Sequence, residues 1–238
     1  MNGGDCGGSC ACAGPAAPLI QVPEIAKVPA TAKPVLLTPT KHLTDIEVDY
    51  GHENLDHSKE VQQIAIKYEE IKEENGARWR TPHRFESGIF SAKIKTPGGN
   101  TSGLNCSFYL SSLEGDKTQD EIDFEFLGKD KGIIQTNVYT EGTGNREEIH
   151  QLGFDSSEDF HEYTIHWSPT EILWFIDGVQ VRKHERKENE AYPTKPMFLY
   201  ASVWNAGWVN NGEWAGCYAG CDEPYLCTYK DVQIPHQQ

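Results

Sequence analysis

A short segment that alternates acidic and large apolar residues constrains the fold of this chain most strongly. Residues 120–128 read Asp-Glu-Ile-Asp-Phe-Glu-Phe-Leu-Gly. In an extended strand alternate side chains project from the same side, so Glu121, Asp123 and Glu125 share one face. The other face carries only isoleucine and phenylalanine, which must be buried against a second layer. The segment therefore predicts one strand of a layered sheet with three carboxyl groups on its open face.

The same two-residue alternation recurs along most of the remaining chain. Residues 172–176 and 179–182 flank the pair Asp177-Gly178, and an Asp-Gly pair between two apolar runs is typical of a β-hairpin. Helical periodicity is weak, and in residues 61–68 the alternation of two isoleucines favours a strand. Further strands are predicted at 77–80, 88–95, 161–167 and 196–205. Many short strands separated by Gly, Asn, Asp and Pro turns predict an all-β sandwich.

The first 42 residues differ in composition and are predicted to form a disordered extension. They hold six of the thirteen prolines and three of the seven cysteines. Proline at this density disfavours helices and central strands and favours extended backbone. Residues 43–238 are long enough for one all-β domain with its own core. The cysteines at 217, 221 and 227 are compatible with one disulfide, whose pairing the sequence leaves open.

The acidic composition limits the classes of partner that the chain is expected to bind. The formal net charge is −15, from 36 acidic and 21 basic residues. Nucleic acids and anionic membranes attract basic surfaces, so both are disfavoured as partners, whereas a neutral polysaccharide is compatible. The sequence contains no run of 18 apolar residues, so no membrane span is predicted. The N-terminus lacks the basic and apolar regions of a signal peptide. No zinc-type cysteine spacing is present, so we expect no metal and no cofactor. We also expect the chain to be a monomer.

The three carboxyl groups on one strand face indicate acid–base chemistry. Neighbouring carboxyl groups repel one another, which raises some of their pKa values. A solvated acidic face is the simpler interpretation, but the apolar opposite face indicates a strand packed on a second layer. A calcium site is a further alternative, disfavoured because calcium takes about six to eight oxygen ligands and a flat strand supplies too few.

Glycoside hydrolysis uses two carboxyl groups in this way. One attacks the anomeric carbon or activates water, and the other donates a proton to the leaving oxygen. Glu121 and Glu125 lie about 13 Å apart along an extended strand, and their side chains can lean towards each other. A carboxyl separation of about 5–5.5 Å corresponds to retention of configuration, and about 6.5–9.5 Å to inversion.

The segment around these carboxyl groups resembles the active-site signature of glycoside hydrolase family 16. It is most similar to the plant xyloglucan endotransglucosylase/hydrolase branch, and the likeness extends over roughly residues 45–234. Segments that carry it lie at 108–112, 135–139, 144–147, 159–163 and 202–205. The resemblance implies a concanavalin-like β-jelly roll with a concave substrate cleft. It also implies that Glu121 is the nucleophile, Asp123 a helper and Glu125 the general acid/base.

The resemblance also implies a set of residues that bind the sugar chain. Gln135 and Asn137 match positions beside the nucleophile, and Glu147 matches an acid that contacts substrate. Trp204 matches a cleft tryptophan, whose face suits the apolar face of a glucose ring. The weaker candidates are Arg80, Tyr109, Arg146, Asn205 and Trp208.

Three departures from the transglucosylase pattern predict hydrolysis rather than transfer. Gln119 stands where that branch usually has histidine, the segment 128–134 is shorter, and the chain ends four residues after Ile234. A shorter C-terminal part would weaken acceptor binding and let water compete with the acceptor for the glycosyl-enzyme.

The expected substrates are mixed-linkage β-glucan and xyloglucan. The alternatives are a xyloglucan transglucosylase and a jelly-roll lectin that binds glucan without cutting it. The sequence leaves the location of the protein open: either the cell wall, reached by an unconventional route, or the cytoplasm.

Overall fold

Fifteen strands make up nearly all of the regular structure. The computed structural model describes residues 39–57, 63–70 and 75–236. Within them the strands are β1 (Thr40–His42), β2 (Glu47–Tyr50), β3 (Leu55–His57), β4 (Gln63–Tyr68), β5 (Ala77–Arg80), β6 (Gly88–Lys95), β7 (Leu104–Ser111), β8 (Glu121–Leu127), β9 (Ile133–Tyr139), β10 (Glu148–Gln151), β11 (His161–Trp167), β12 (Glu171–Ile176), β13 (Val179–Glu185), β14 (Phe198–Asn205) and β15 (Tyr225–Pro235). Two short 3₁₀ turns lie at His52–Asn54 and Val209–Gly212.

The strands form two antiparallel sheets. The seven-stranded sheet has the order β10-β9-β8-β7-β14-β5-β2. The eight-stranded sheet has the order β13-β12-β11-β6-β15-β4-β3, with β1 paired to β15. The prediction of an all-β sandwich is confirmed. Strand β8, which carries the acidic segment, lies in the interior of the seven-stranded sheet between β7 and β9.

Alternation along β8 separates the core from the open face of its sheet. Ile122, Phe124 and Phe126 are at most 4% exposed. Both phenylalanine rings meet the ring of Tyr163 on β11 edge to face, at 5.7 and 4.9 Å between ring centroids. Burying one such side chain contributes about 1.5–3 kcal/mol. Because these contacts fix which face of β8 is inside, they also fix the acidic face outside.

The local predictions are confirmed where the structure describes them. The hairpin turns at Asp177-Gly178, and both residues have positive φ (48° and 76°), as a two-residue turn between twisted strands requires. Residues 63–68 form strand β4, and Cys217 and Cys221 are disulfide-bonded. No helix in the described part of the chain is long and apolar enough to cross a membrane.

The N-terminal boundary of the folded part lies earlier than residue 43. Residues 40–42, the last three of the predicted extension, form β1 and pair with β15. Leu43 follows directly and is 1% exposed. Residues 1–38 lie outside the described residues, so the prediction of disorder there stays a prediction.

Candidate active site

The acidic face of β8 lines a cleft on the open side of the seven-stranded sheet. Register places Gln135 and Asn137 of β9 opposite Glu125 and Asp123, and Tyr109 of β7 opposite Asp123 on the other side. A cavity of about 270 Å³ lies over the acidic face of β8. Side chains that line it include Glu121, Asp123, Glu125, Tyr109, Arg78 and Trp204. Glu121, Asp123 and Glu125, predicted from one strand, therefore share one cleft.

Glu125 is held by a glutamine whose orientation is fixed. Gln135 Nε2 donates to Glu125 Oε2 at 3.1 Å, and Trp214 Nε1 donates to Gln135 Oε1 at 3.2 Å. An indole N–H only donates, so the amide group of Gln135 turns its NH₂ towards Glu125. Burial, together with the negative charge of Glu114, raises the pKa of Glu125 to about 8. At neutral pH Glu125 therefore carries a proton that it can donate.

Glu121 and Asp123 form a coupled carboxyl pair. Burial raises the pKa of Glu121, and the charges of Glu114 and Glu125 add to the effect. A hydrogen bond from Asp123 lowers it. The pKa of Asp123 is raised in turn by burial and by the carboxyl groups of Glu121 and Glu125. The two carboxyl groups therefore titrate as a pair that shares a proton.

The other sheet supports the backbone of the acidic segment. Trp174 of β12 is fully buried, and its Nε1 donates to the backbone carbonyl of Asp123 at 3.1 Å. The guanidinium of Arg182 lies over the Trp174 ring at 4.9 Å from its centroid. A buried indole that spans the core in this way fixes β8 at the point where its acids are needed.

The predicted contacts of Asn137 and Glu147 meet at the edge of the cleft. Asn137 Oδ1 accepts hydrogen bonds from the backbone N–H groups of Val138 and Arg146, at 2.8 and 3.2 Å. Its Nδ2 consequently faces Glu147 Oε1, at 3.4 Å. The Arg146 guanidinium donates to the carbonyls of Val138 and Thr143. Arg146 therefore shapes the loop that presents Glu147, which is exposed.

One of the six tryptophans lines the cleft, two others lie beside it, and three fill the core. Trp204 is half-buried, donates to Asn105 Oδ1 at 3.0 Å, and lies 6.2 and 6.1 Å from the rings of Trp208 and Trp214. Trp208 is 74% exposed. The core tryptophans are Trp79, Trp167 and Trp174. Composition could not separate these two groups, whereas the fold does.

Two weaker candidates make contacts that hold the fold. Arg80 pairs with Glu47 and Asp49 and stacks over Phe198, and it is absent from the side chains that line the cavity. Asn205 Oδ1 accepts the backbone N–H of Gly207 at 2.8 Å and so closes a turn.

Sequence reasoning missed several residues that line or support the cleft, among them Tyr50, Arg78, Glu114 and Trp214. Arg78, two positions before Arg80 and on the same face of β5, lines the cavity together with Tyr50 and Glu114. Trp214 orients Gln135. The two-residue periodicity of β5 puts Arg78 on the same face as Arg80, which was a candidate, so this signal could have identified Arg78. Glu114 and Trp214 lie in loops, where no periodic signal exists.

The fold and sequence of this chain are similar to those of known glycosidases. The model of glycosyl hydrolases family 16 matches residues 42–219. A probable xyloglucan endotransglucosylase/hydrolase, protein 8 of Arabidopsis thaliana, is 37% identical over 179 residues, which cover 69% of this chain and 57% of that protein. The putative protein 1 of the same series in Arabidopsis thaliana is 40% identical over 173 residues, covering 69% and 56%. The chain thus spans little more than half the length of these curated relatives.

Solved structures show the same likeness. A β-glucanase of Bacillus licheniformis superposes with a TM-score of 0.69 at 26% identity, covering 81% of this chain and 92% of the other. A prokaryotic β-1,3-1,4-glucanase, a lichenase derived from a mouse hindgut metagenome, gives a TM-score of 0.68 at 27% identity, covering 82% and 96%.

Proposed function

This chain belongs to glycosyl hydrolases family 16, and from that premise we propose that it is a retaining endo-β-glucanase. The observation that carries the proposal is the placement of Glu121 and Glu125 on one face of one strand, where both line the same cleft. Burial raises the pKa of Glu125 to about 8. Burial also raises the pKa of Glu121, but hydrogen bonds from Asp123, Ser111 and Gln119 oppose that rise and favour its ionised form. One strand thus presents a proton donor and a nucleophile to the same cleft.

The two carboxyl groups would act in two steps. Glu121 forms a bond to the anomeric carbon while the bond from that carbon to the leaving oxygen breaks, and Glu125 gives its proton to that oxygen. Glu125, now ionised, takes a proton from water as the water oxygen attacks the anomeric carbon and releases Glu121. Asp123 keeps the shared proton on its own carboxyl and so leaves Glu121 charged.

We infer hydrolysis rather than transfer because the cleft next to Glu125 is open to water. Glu147, whose charge acts on Glu125, is exposed at that rim, and water must reach the anomeric carbon for the second step. The inferred substrates are mixed-linkage β-glucan and xyloglucan. The relatives whose names include xyloglucan support the second, and the named lichenase supports the first. An open cleft with Trp204 in its wall suits internal cleavage of long chains, including branched ones.

Hydrolysis of a polysaccharide panel tests the proposal. Reducing ends should be released from barley β-glucan and from xyloglucan, with little from a β-1,3-glucan. Glu121→Ala should abolish nearly all turnover and still bind glucan oligosaccharides, because only the attacking group is lost. Glu188→Ala, on an exposed turn, is the matched control and should keep full activity. Substantial turnover in Glu121→Ala would contradict the assignment.

Product analysis separates the two other functions. A xyloglucan endotransglucosylase would build longer polymers from donor and oligosaccharide acceptor faster than it releases reducing ends. The names of the curated relatives include both activities, which makes this the alternative to test first. A lectin would bind the same glucans and release nothing.

A further inference from the structure

The loop that joins β7 to β8 places one side chain directly on the proposed nucleophile. Gln119 Nε2 donates a hydrogen bond to Glu121 Oε2 at 2.6 Å. Its Oε1 accepts a hydrogen bond from the backbone N–H of Gly115 at 3.0 Å. Because a backbone N–H only donates, the carbonyl end of the amide faces Gly115 and the NH₂ end faces Glu121. The loop itself thus sets the orientation of the Gln119 side chain.

Backbone hydrogen bonds hold Gln119 in its place. Its N–H donates to the carbonyl of Asp116 at 3.1 Å, and its carbonyl accepts from the N–H of Gly142 at 2.7 Å. The Asp116 carboxylate accepts from both the backbone N–H and the hydroxyl of Thr118, at 2.7 and 2.8 Å. A donor supported in this way is preorganised, so little ordering is needed when substrate binds.

Resting on the function proposed above, we propose that Gln119 is a positioning residue that keeps Glu121 ionised and aimed at the anomeric carbon. The amide engages one carboxylate oxygen of Glu121, which leaves the other oxygen to attack. Once that oxygen has formed the ester, the oxygen facing Gln119 is its carbonyl and continues to accept the hydrogen bond. A primary amide does not titrate in the working pH range, so the donor is present throughout it.

The surroundings of Glu121 explain why such a donor is needed. Its own strand supplies Asp123 and Glu125, and the loop supplies Glu114. Arg78 of β5 is the one cation among the side chains that line this described cavity, and its guanidinium pairs with Asp49 at 2.8 Å. Three phenols also face this cleft, from Tyr50 on β2, Tyr109 on β7 and Tyr139 on β9. Acidic neighbours and burial favour the protonated form of Glu121, which cannot attack. The hydrogen bond from Gln119 opposes them.

Gln119→Met provides the kinetic test, since methionine has similar length and neither donates nor accepts here. Removing a hydrogen bond to an ionised carboxylate raises its pKa, so the acidic limb of kcat/KM should move up by about one pH unit. The pH-independent maximum of kcat/KM should fall about tenfold. Gln119→Glu, which adds a like charge, should move the limb further. Lys117→Met, on the same loop and exposed, is the control and should leave the profile unchanged.

Titration of the carboxyl itself gives an answer that does not depend on turnover. The side-chain carboxyl signal of Glu121 can be followed by ¹³C NMR in protein labelled at glutamate, and its loss in Glu121→Gln assigns it. Its midpoint should lie about one pH unit higher in Gln119→Met than in the parent chain. An unchanged midpoint would overturn the role of Gln119 even if Gln119→Met were less active. If the parent chain cuts no glucan, the proposed function fails, and this titration still decides the role of Gln119.

Discussion

Glutamine in place of Glu125 is expected to stabilise the fold at alkaline pH, because the carboxyl is costly to ionise in the cleft. Burial, with the charges of Glu114 and Glu147, raises its pKa from the ordinary 4.5 to about 8. In the unfolded chain the same carboxyl ionises near its ordinary pKa. Glutamine keeps the shape and can still accept the hydrogen bond from Gln135, so the substitution removes little besides the charge.

The sign and size of the effect follow from this difference in pKa. Below about pH 4.5 both states hold the proton, and the two chains should be equally stable. Between about pH 4.5 and 8 only the unfolded state releases it, so the parent chain loses about 1.4 kcal/mol per pH unit. The full difference is about 5 kcal/mol. Glu125 is only half-buried and water in the cleft screens it, so we expect about 2–3 kcal/mol above pH 8.

Urea unfolding at several pH values from about 4 to 9 measures this directly, as the difference in free energy of unfolding between the two chains. Glu188→Gln, which removes an exposed carboxylate, is the control and should show no pH-dependent gain. If Glu125→Gln is no more stable than the parent at about pH 9, or if the gain is equally large at about pH 4, the reasoning is refuted.

Two further substitutions test the electrostatics and the support of the cleft. Glu114→Gln removes a negative charge that raises the pKa of both Glu121 and Glu125, so both limbs of the kcat/KM profile should move to lower pH by about half a unit, with Glu188→Gln unchanged. Trp174→Phe removes the indole donor to the Asp123 carbonyl and leaves a small void. Urea unfolding should show a loss of about 1–3 kcal/mol in the free energy of unfolding, and kcat should fall. Unchanged stability would contradict the role of Trp174 in supporting β8.

Much of the fold was predictable from local patterns. The alternation in β4, β6, β8, β11 and β12 gave strands with defined inner faces, and the pair Asp177-Gly178 gave the hairpin. The acidic segment identified three carboxyl groups because a single strand carries all of them. The pattern of long-range pairing was beyond reach, since β14 pairs with β7 and β5, whose partner residues lie 87 or more positions away in the sequence.

Part of the candidate site was likewise predictable from local patterns, and part of it was not. The placement of Glu121, Asp123 and Glu125 on one open face follows from the sequence by itself, because period-two geometry acts within one strand. Tertiary structure alone decided that Gln119 faces Glu121, that Trp214 orients Gln135 towards Glu125, and that Trp174 supports β8 from the core. Those contacts join residues from separate strands and loops, and their meeting depends on sheet register and packing that no local pattern encodes.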